Sequence, residues 1–272
     1  MDKSKIEFPK KKGYSADALK KVQERLLDMT RTATEILERH GIHYFIGFGS
    51  LLGAVRHKGF IPWDDDFDLF LFDEEYETAL DVLRKELPED IVVHDQVSDG
   101  SYYAAWSKLR DKNSKTKCTI YPADNEHLYT GINVDLYRIQ TVCRSRLQSY
   151  IKREHIQFLV RKHTVGLIEE EEYIRKFNLW TKEYVRVLEE EEKQPLAEED
   201  KVYGFVVFID YFELDEIWPL KRYEFEGNLF WGPNNYDAIL KRTYGNYMEL
   251  PQYEKRLPHY DEVEFCDERG EG

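Results

Sequence analysis

The chain is 272 residues long, 42% apolar and 34% charged, which suits a soluble globular protein with one large domain or two modest ones. Lys and Arg total 39 against 53 Asp and Glu, and the net charge of −14 repels polyanions over long range, so a nucleic-acid partner is not expected. Cys118, Cys143 and Cys266 are odd in number and show no CxxC spacing, which speaks for a reducing compartment over a disulfide scaffold or a cysteine zinc site.

Residues 1–14 are polar and basic without an apolar core, so they read as a loosely docked leader and not as a signal peptide. From Ser15 to His40 the apolar residues Leu19, Val22, Leu26, Met29, Ala33, Ile36 and Leu37 recur at three- and four-residue steps, predicting a helix that Gly41 ends. "IHYFIGFG" predicts a strand, and Ser50 is placed to cap a short helix over "LLGAVRHK", closed by Gly59. A second strand is expected over Asp66–Phe72, and an amphipathic helix over "DEEYETALDVLRKEL". Further strands are expected in "DIVVHD", "YYAAWSKLRD", "KCTIY" and "INVDLYRI", which makes residues 34–140 an α+β or mixed α/β core. Residues 144–192 turn helical, and a solvated joint surrounds Pro195. "VYGFVVFI" and "YEFEGNLFW" then read as strands and "NYDAILKRTYG" as a short helix; the acidic tail from Leu257 is expected to fray. No apolar run reaches the roughly 18 residues of a membrane span, although peripheral association stays open.

The chemistry concentrates in "GFGSLLGAVRHKGFIPWDDDFDLFLFD", where aspartates run into apolar strand residues. Packed carboxylates are tolerated if they protonate, face water or hold a cation. Alternate strand residues share a face, so Asp66 and Asp68 point the same way, joined by Asp64 if the strand starts early, whereas Asp65 turns aside. All-oxygen ligation of this kind suits Mg²⁺, Mn²⁺ or Ca²⁺. Asp135 in "GINVDLYRI" supplies a third carboxylate if its strand is a neighbour; alone it is equally a structural acceptor. Gly49 and Ser50, at a strand-to-helix junction, form a candidate anion seat. Arg56, Lys108 and Arg110 are candidate phosphate contacts, each with the alternative of a salt-bridged surface cation, and His57 reads as structural. Trp63, beside the acids, is the aromatic expected to touch a ligand, followed by Trp106 and Trp231.

That stretch closely resembles the signature of the LicD family of phosphotransferases, and "WSKLRDKNSKT", "GINVDLYRI" and "WGPNNYDAILKRTYGNYMELP" extend the resemblance over about 40–251. The family looks like a branch of the nucleotidyltransferase superfamily, distantly related to fukutin and fukutin-related protein. It implies a DNA polymerase β-like mixed sheet core with flanking helices and a helical insertion. The leader and first helix would cover 1–33 and the transferase domain 34–272, its helical segment at 141–200 and its last part at 201–260. Carried over, Gly49 and Ser50 contact phosphate, Asp66 and Asp68 hold Mg²⁺ or Mn²⁺ with Asp64 nearby, and Asp135 is the third acid, as base or ligand. The implied reaction moves phosphocholine from CDP-choline to a hydroxyl of a cell-surface glycan, teichoic-acid precursor or lipid-linked acceptor, releasing CMP. CDP-ribitol or CDP-glycerol as donor, or a non-catalytic binding module, are the alternatives. The expected location is cytoplasmic, including the inner face of the membrane.

Overall fold

The computed structural model describes residues 6–9, 11, 14–197, 199–205 and 210–266. Helix α1 (Ala16–Arg39) begins where Ser15 Oγ accepts the Ala18 N–H, and its apolar stripe is buried. Strand β1 (Tyr44–Ile46) is shorter than expected, because helix α2 (Phe48–His57) starts before Ser50. Gly47 is its N-cap, and a Cβ there would lie 2.1 Å from the Phe70 ring. Ser50 therefore sits inside α2 and does not cap it.

Strand β2 (Phe67–Phe72), buried along its whole length, feeds helix α3 (Asp73–Glu86) and then strand β3 (Ile91–His94). Strands β4 (Ser107–Asp111) and β5 (Ser114–Lys117) follow; the expected strand in "KCTIY" gives way to irregular chain and a short 3₁₀ turn at Pro122–Glu126. Strand β6 (Asn133–Cys143) organises the sheet. It pairs in parallel with β2, setting Asp68 opposite Asp135, and its other edge pairs antiparallel with β4, setting Lys108 opposite Asp135. The outer positions fall to β1 on β2 and β3 on β4. The far half of β6 pairs with β7 (Lys201–Phe205), which pairs with β8 (Asp210–Glu213). Part of the expected strand "VYGFVVFI", residues 206–209, lies outside the described residues. This is a mixed sheet with flanking helices, an α+β architecture.

The helical segment is a pair, α4 (Leu147–Thr164) and α5 (Glu170–Glu192). After it come the short helix α6 (Leu214–Ile217), the hairpin β9 (Lys221–Phe225) to β10 (Asn228–Gly232), and α7 (Tyr236–Tyr244), capped by the Asn235 side chain. Among the described residues no helix is long and apolar enough to cross a membrane.

The tail does not fray as far as it is described. Strand β11 (Glu262–Phe265) pairs with β5, and Thr119 N and Oγ1 both donate to Asp261 Oδ2. Described parts of the leader dock on it: Lys11 Nζ sits 2.9 Å from Asp261 Oδ1, and Arg256 Nη1 donates to Glu7 O. Acidic composition suggested solvation, but pairing with the basic β5 decides the outcome.

Gly131, just before β6, shows how tightly this region is built. A Cβ there would meet Asp111 O at 1.8 Å and Ser114 O at 2.9 Å, both backbone atoms. Gly131→Ala is expected to cost about 2–3 kcal/mol in urea unfolding, at the upper end of overpacking penalties. An unchanged midpoint would show that these strands can separate.

Candidate active site

The parallel pairing of β2 and β6 creates the site. Side chains opposite one another in adjacent strands leave the same face, so Asp68 and Asp135 emerge together, with Asp66 at the mouth of β2. Carboxylate oxygens of Asp66, Asp68 and Asp135 all lie within 4.8 Å of one another, and Asp64, Asp66 and His259 form an adjoining group by the same measure. They sit in a cleft of about 1010 Å³ whose walls come from widely separated segments of the chain. Phe48 and Gly49 of α2, Lys108 and Arg110 of β4, Phe158 and Lys162 of α4, Tyr244 of α7 and His259 of the tail all contribute. The helical segment thus has a clear place: α4 forms one wall.

The structure separates the sequence candidates. Gly49 borders the acids, and a Cβ there would stand 2.8 Å from Asp64 Oδ2, so glycine leaves room for that carboxylate. Ser50 is buried, lines no part of the cleft, and its hydroxyl accepts the Asp68 N–H at 2.9 Å. It braces the acid-bearing strand instead of offering an anion seat. Lys108 Nζ lies 3.4 Å from Asp135 Oδ1 and 3.6 Å from Asp124 Oδ2. Arg110 donates from Nη1 to Gly131 O, and its Nη2 lies 3.6 Å from Asp124 Oδ2. Arg56 is turned away: its guanidinium donates to Tyr247 O, Glu249 O and His57 Nε2 and fastens α2 to the chain after α7. Trp63 is buried outside the cleft with the Arg256 guanidinium 5.8 Å from its ring centre, and Trp231 carries Arg222 on its face at 3.9 Å. Trp106 is the tryptophan beside the acids, donating from Nε1 to Asp135 Oδ1 at 2.5 Å.

Sequence reasoning missed Asp65 and His259. Asp65 precedes β2, lines no part of the cleft and is fully buried. It accepts from His259 N at 2.8 Å and Tyr260 N at 3.0 Å, and its Oδ1 lies 3.1 Å from His259 Nδ1. Tyr260 Oη then donates to Asn133 Oδ1, and Asn133 Nδ2 to Asp135 Oδ2. One tail segment thereby ties both acid-bearing strands and places an imidazole 3.5 Å from Asp66 Oδ2. A histidine in an acidic tail carries no periodicity, so only the fold exposes it.

Residues 41–140 match the family profile described as LicD/FKTN/FKRP, nucleotidyltransferase domain. Over 245 residues the chain is 29% identical to "Lipopolysaccharide cholinephosphotransferase LicD" of Haemophilus influenzae, an alignment spanning 83% of this chain and 89% of that one. Residues 41–140 thus form a LicD-family domain, and the similarity to a LicD protein runs over most of the chain. The chain is a phosphotransferase. It is also 31% identical to an uncharacterized Rickettsia prowazekii protein over 147 residues, 53% of this chain and 48% of that one. Over 50 residues it is 44% identical to human "Ribitol 5-phosphate transferase FKRP", 18% of this chain and 10% of that one.

In this cleft the acids carry unresolved repulsion. Burial, with Asp66 and Asp135 close by, holds the Asp68 carboxyl well above its ordinary 3.8. Burial and Asp66 do the same to Asp64, and burial, Asp65 and Asp135 raise Asp66. The His259 imidazole is pushed up to about 11 by Asp66 and by its contact with Asp65, against the opposing effect of burial. Carboxylates left this uncomfortable suit a hard divalent cation, which takes oxygen ligands and removes the repulsion. Asp66 and Asp68 would hold it, with Asp64 and Asp135 close by.

Proposed function

We propose that this LicD-family chain transfers phosphocholine from CDP-choline to a hydroxyl of a cell-surface glycan or its lipid-linked precursor, releasing CMP. The observation that carries the reading is the convergence of Asp66, Asp68 and Asp135 at the base of a cleft walled by Tyr102, Tyr103, Trp106, Tyr137 and Phe158. Aromatic faces attract a quaternary ammonium, and the acids supply the place for a cation that neutralises a diphosphate. The name of the Haemophilus relative points to the same transferred group. The ribitol phosphate named for the FKRP relative rests on 50 residues, which lend less support to an uncharged alcohol.

Residues 34–140 are proposed as a nucleotidyltransferase-like catalytic core, with the α4–α5 pair as a substrate wall. Bound Mg²⁺ or Mn²⁺ would offset negative charge on the donor's phosphoryl oxygens. Asp135 accepts the proton of the acceptor hydroxyl; its oxygens are already aimed by Trp106 and Asn133. The hydroxyl oxygen forms a bond to the choline-bearing phosphorus as the bond from that phosphorus to the bridging oxygen breaks, and CMP departs with the electron pair. Lys108 and Arg110, both lining the cleft and both ion-paired with Asp124, face the developing charge. A cytoplasmic setting, with peripheral contact at the inner face of the membrane, belongs to the same proposal.

Incubating the chain with CDP-choline and a glycan acceptor is expected to release CMP in Mg²⁺ and to stop in EDTA. CDP-ribitol and CDP-glycerol run in parallel should be about five- to thirtyfold slower, the discrimination a cation–π contact of roughly 1–2 kcal/mol supports. Equal rates with all three donors would remove the choline assignment, and EDTA-insensitive release would remove the cation.

A further inference from the structure

A second cluster lies apart from the acidic trio, behind Tyr102 and Tyr103. His94 ends β3, Asp99 sits in the turn after it, and His127 follows the 3₁₀ turn at Pro122–Glu126. All three are buried, and one ligand-type atom from each lies within 4.8 Å of the others. We propose that His94, Asp99 and His127 form a binding site for a zinc-type transition metal ion that fixes the wall of the cleft.

The distances favour this. Asp99 Oδ2 is 3.0 Å from His94 Nε2 and 3.8 Å from His127 Nδ1. Ligands at about 2.1 Å from one tetrahedral ion stand roughly 3.4 Å apart, midway between these values. The two imidazole centroids are 5.2 Å apart, with planes at 82°. Rings binding one such ion through nitrogen have centres about 5 Å apart, so the rings already hold that spacing. Mixed nitrogen and oxygen donors select zinc-type ions over Mg²⁺, which prefers oxygen alone.

The surroundings also match a metal site. Ser101 N and Oγ both donate to Asp99 Oδ1, which fixes the carboxylate and leaves Oδ2 toward the histidines, with Leu128 N donating to it. On the far side of the His127 ring, Nε2 faces Asp124 Oδ1 at 3.8 Å, the carboxylate-behind-imidazole arrangement that orients metal ligands. His94 is fully buried, and among the described residues its polar anchor is Asp99, on the side of the cluster. The fourth position falls to water or to Ser101 Oγ, 3.2 Å from His127 Nδ1.

The role is structural. The cluster joins the loop after β3 to the loop before β6, and these loops carry Tyr102, Tyr103, Trp106 and Asp124 into the cleft. A bound ion would hold aromatic wall and acidic floor at a fixed spacing.

The test is elemental analysis of the full chain, grown with zinc and desalted into excess Mg²⁺, followed by cobalt titration. About one zinc per chain is expected, with the visible bands of tetrahedral cobalt. EDTA should lower the melting temperature of the zinc-loaded chain, and Zn²⁺ should restore it where Mg²⁺ does not. Asp99→Asn and His127→Ala should each weaken cobalt binding at least about tenfold, while Asp68→Asn leaves it intact. Zinc below roughly a tenth of an equivalent, with no tetrahedral cobalt bands, would overturn the proposal and leave a hydrogen-bonded buried pair. Metal lost in Asp68→Asn and kept in His127→Ala would overturn it as well, assigning the ion to the acidic trio. A wild-type chain without bound zinc overturns the proposal even if a variant fails to fold, and the measurement does not depend on the donor.

Discussion

Asp68→Asn is expected to lower transfer about a thousandfold while raising the melting temperature of the cation-free chain. The two effects share one cause. Asp68 stands opposite Asp135 on adjacent parallel strands and near Asp66, and burial with these neighbours disfavours its charged form. An amide of the same shape removes that repulsion and with it a charged cation ligand. Relief of that repulsion stabilises the fold and should raise the melting temperature. The pH dependence has a fixed sign. Unfolded, these carboxyls titrate near 3.8; folded, they keep protons to higher pH, so above about pH 4 the fold binds more protons and loses stability as pH rises. His259 slopes the same way: its contribution is complete below 6.5 and lost as pH climbs through about 11. Thermal scans in EDTA at acidic and alkaline pH should therefore show wild type falling more steeply than Asp68→Asn. Near-normal transfer by the variant, or a lower melting temperature at neutral pH, would contradict the cation site.

What could be read in advance was whatever strand and helix periodicity determines. Alternation placed Asp66 and Asp68 on one face and Asp65 on the other, and the three-to-four spacing from Leu19 to Leu37 produced α1. Periodicity does not choose strand partners, so the adjacency of Asp68 and Asp135 became visible only in the parallel register of β2 and β6. Nor does charge give direction. Arg56 and Arg110 are both buried arginines, yet one is absorbed by backbone carbonyls and the other lines the cleft. Ser50 was misread because a glycine, Gly47, could start the helix earlier with its Cα against the Phe70 ring. The tail was misread because an average over acidic residues hides one histidine and one tyrosine with specific partners.

The second large effect is expected from Asp65→Ala, a residue outside the acidic trio. Its carboxylate satisfies two backbone N–H groups, of His259 and Tyr260, and contacts the His259 ring. Deleting it leaves those donors without acceptors, at about 1–3 kcal/mol each, and an imidazolium without one of its counter-ions. The segment can escape this penalty by undocking, because its remaining ties to β5, Lys11 and Asn133 are individually modest. Loss should therefore be local: amide exchange over residues 259–265 should quicken about a hundredfold or more, with a smaller change in the core strands. Undocking also removes His259 from Asp66 and the Tyr260–Asn133 support from Asp135, so transfer should fall by about a hundredfold. Asp65→Asn, which keeps one acceptor oxygen, should recover part of the protection. Exchange that stays slow over 259–265 in Asp65→Ala would mean that β11 pairing alone holds the tail, and that Asp65 does not connect it to the acids.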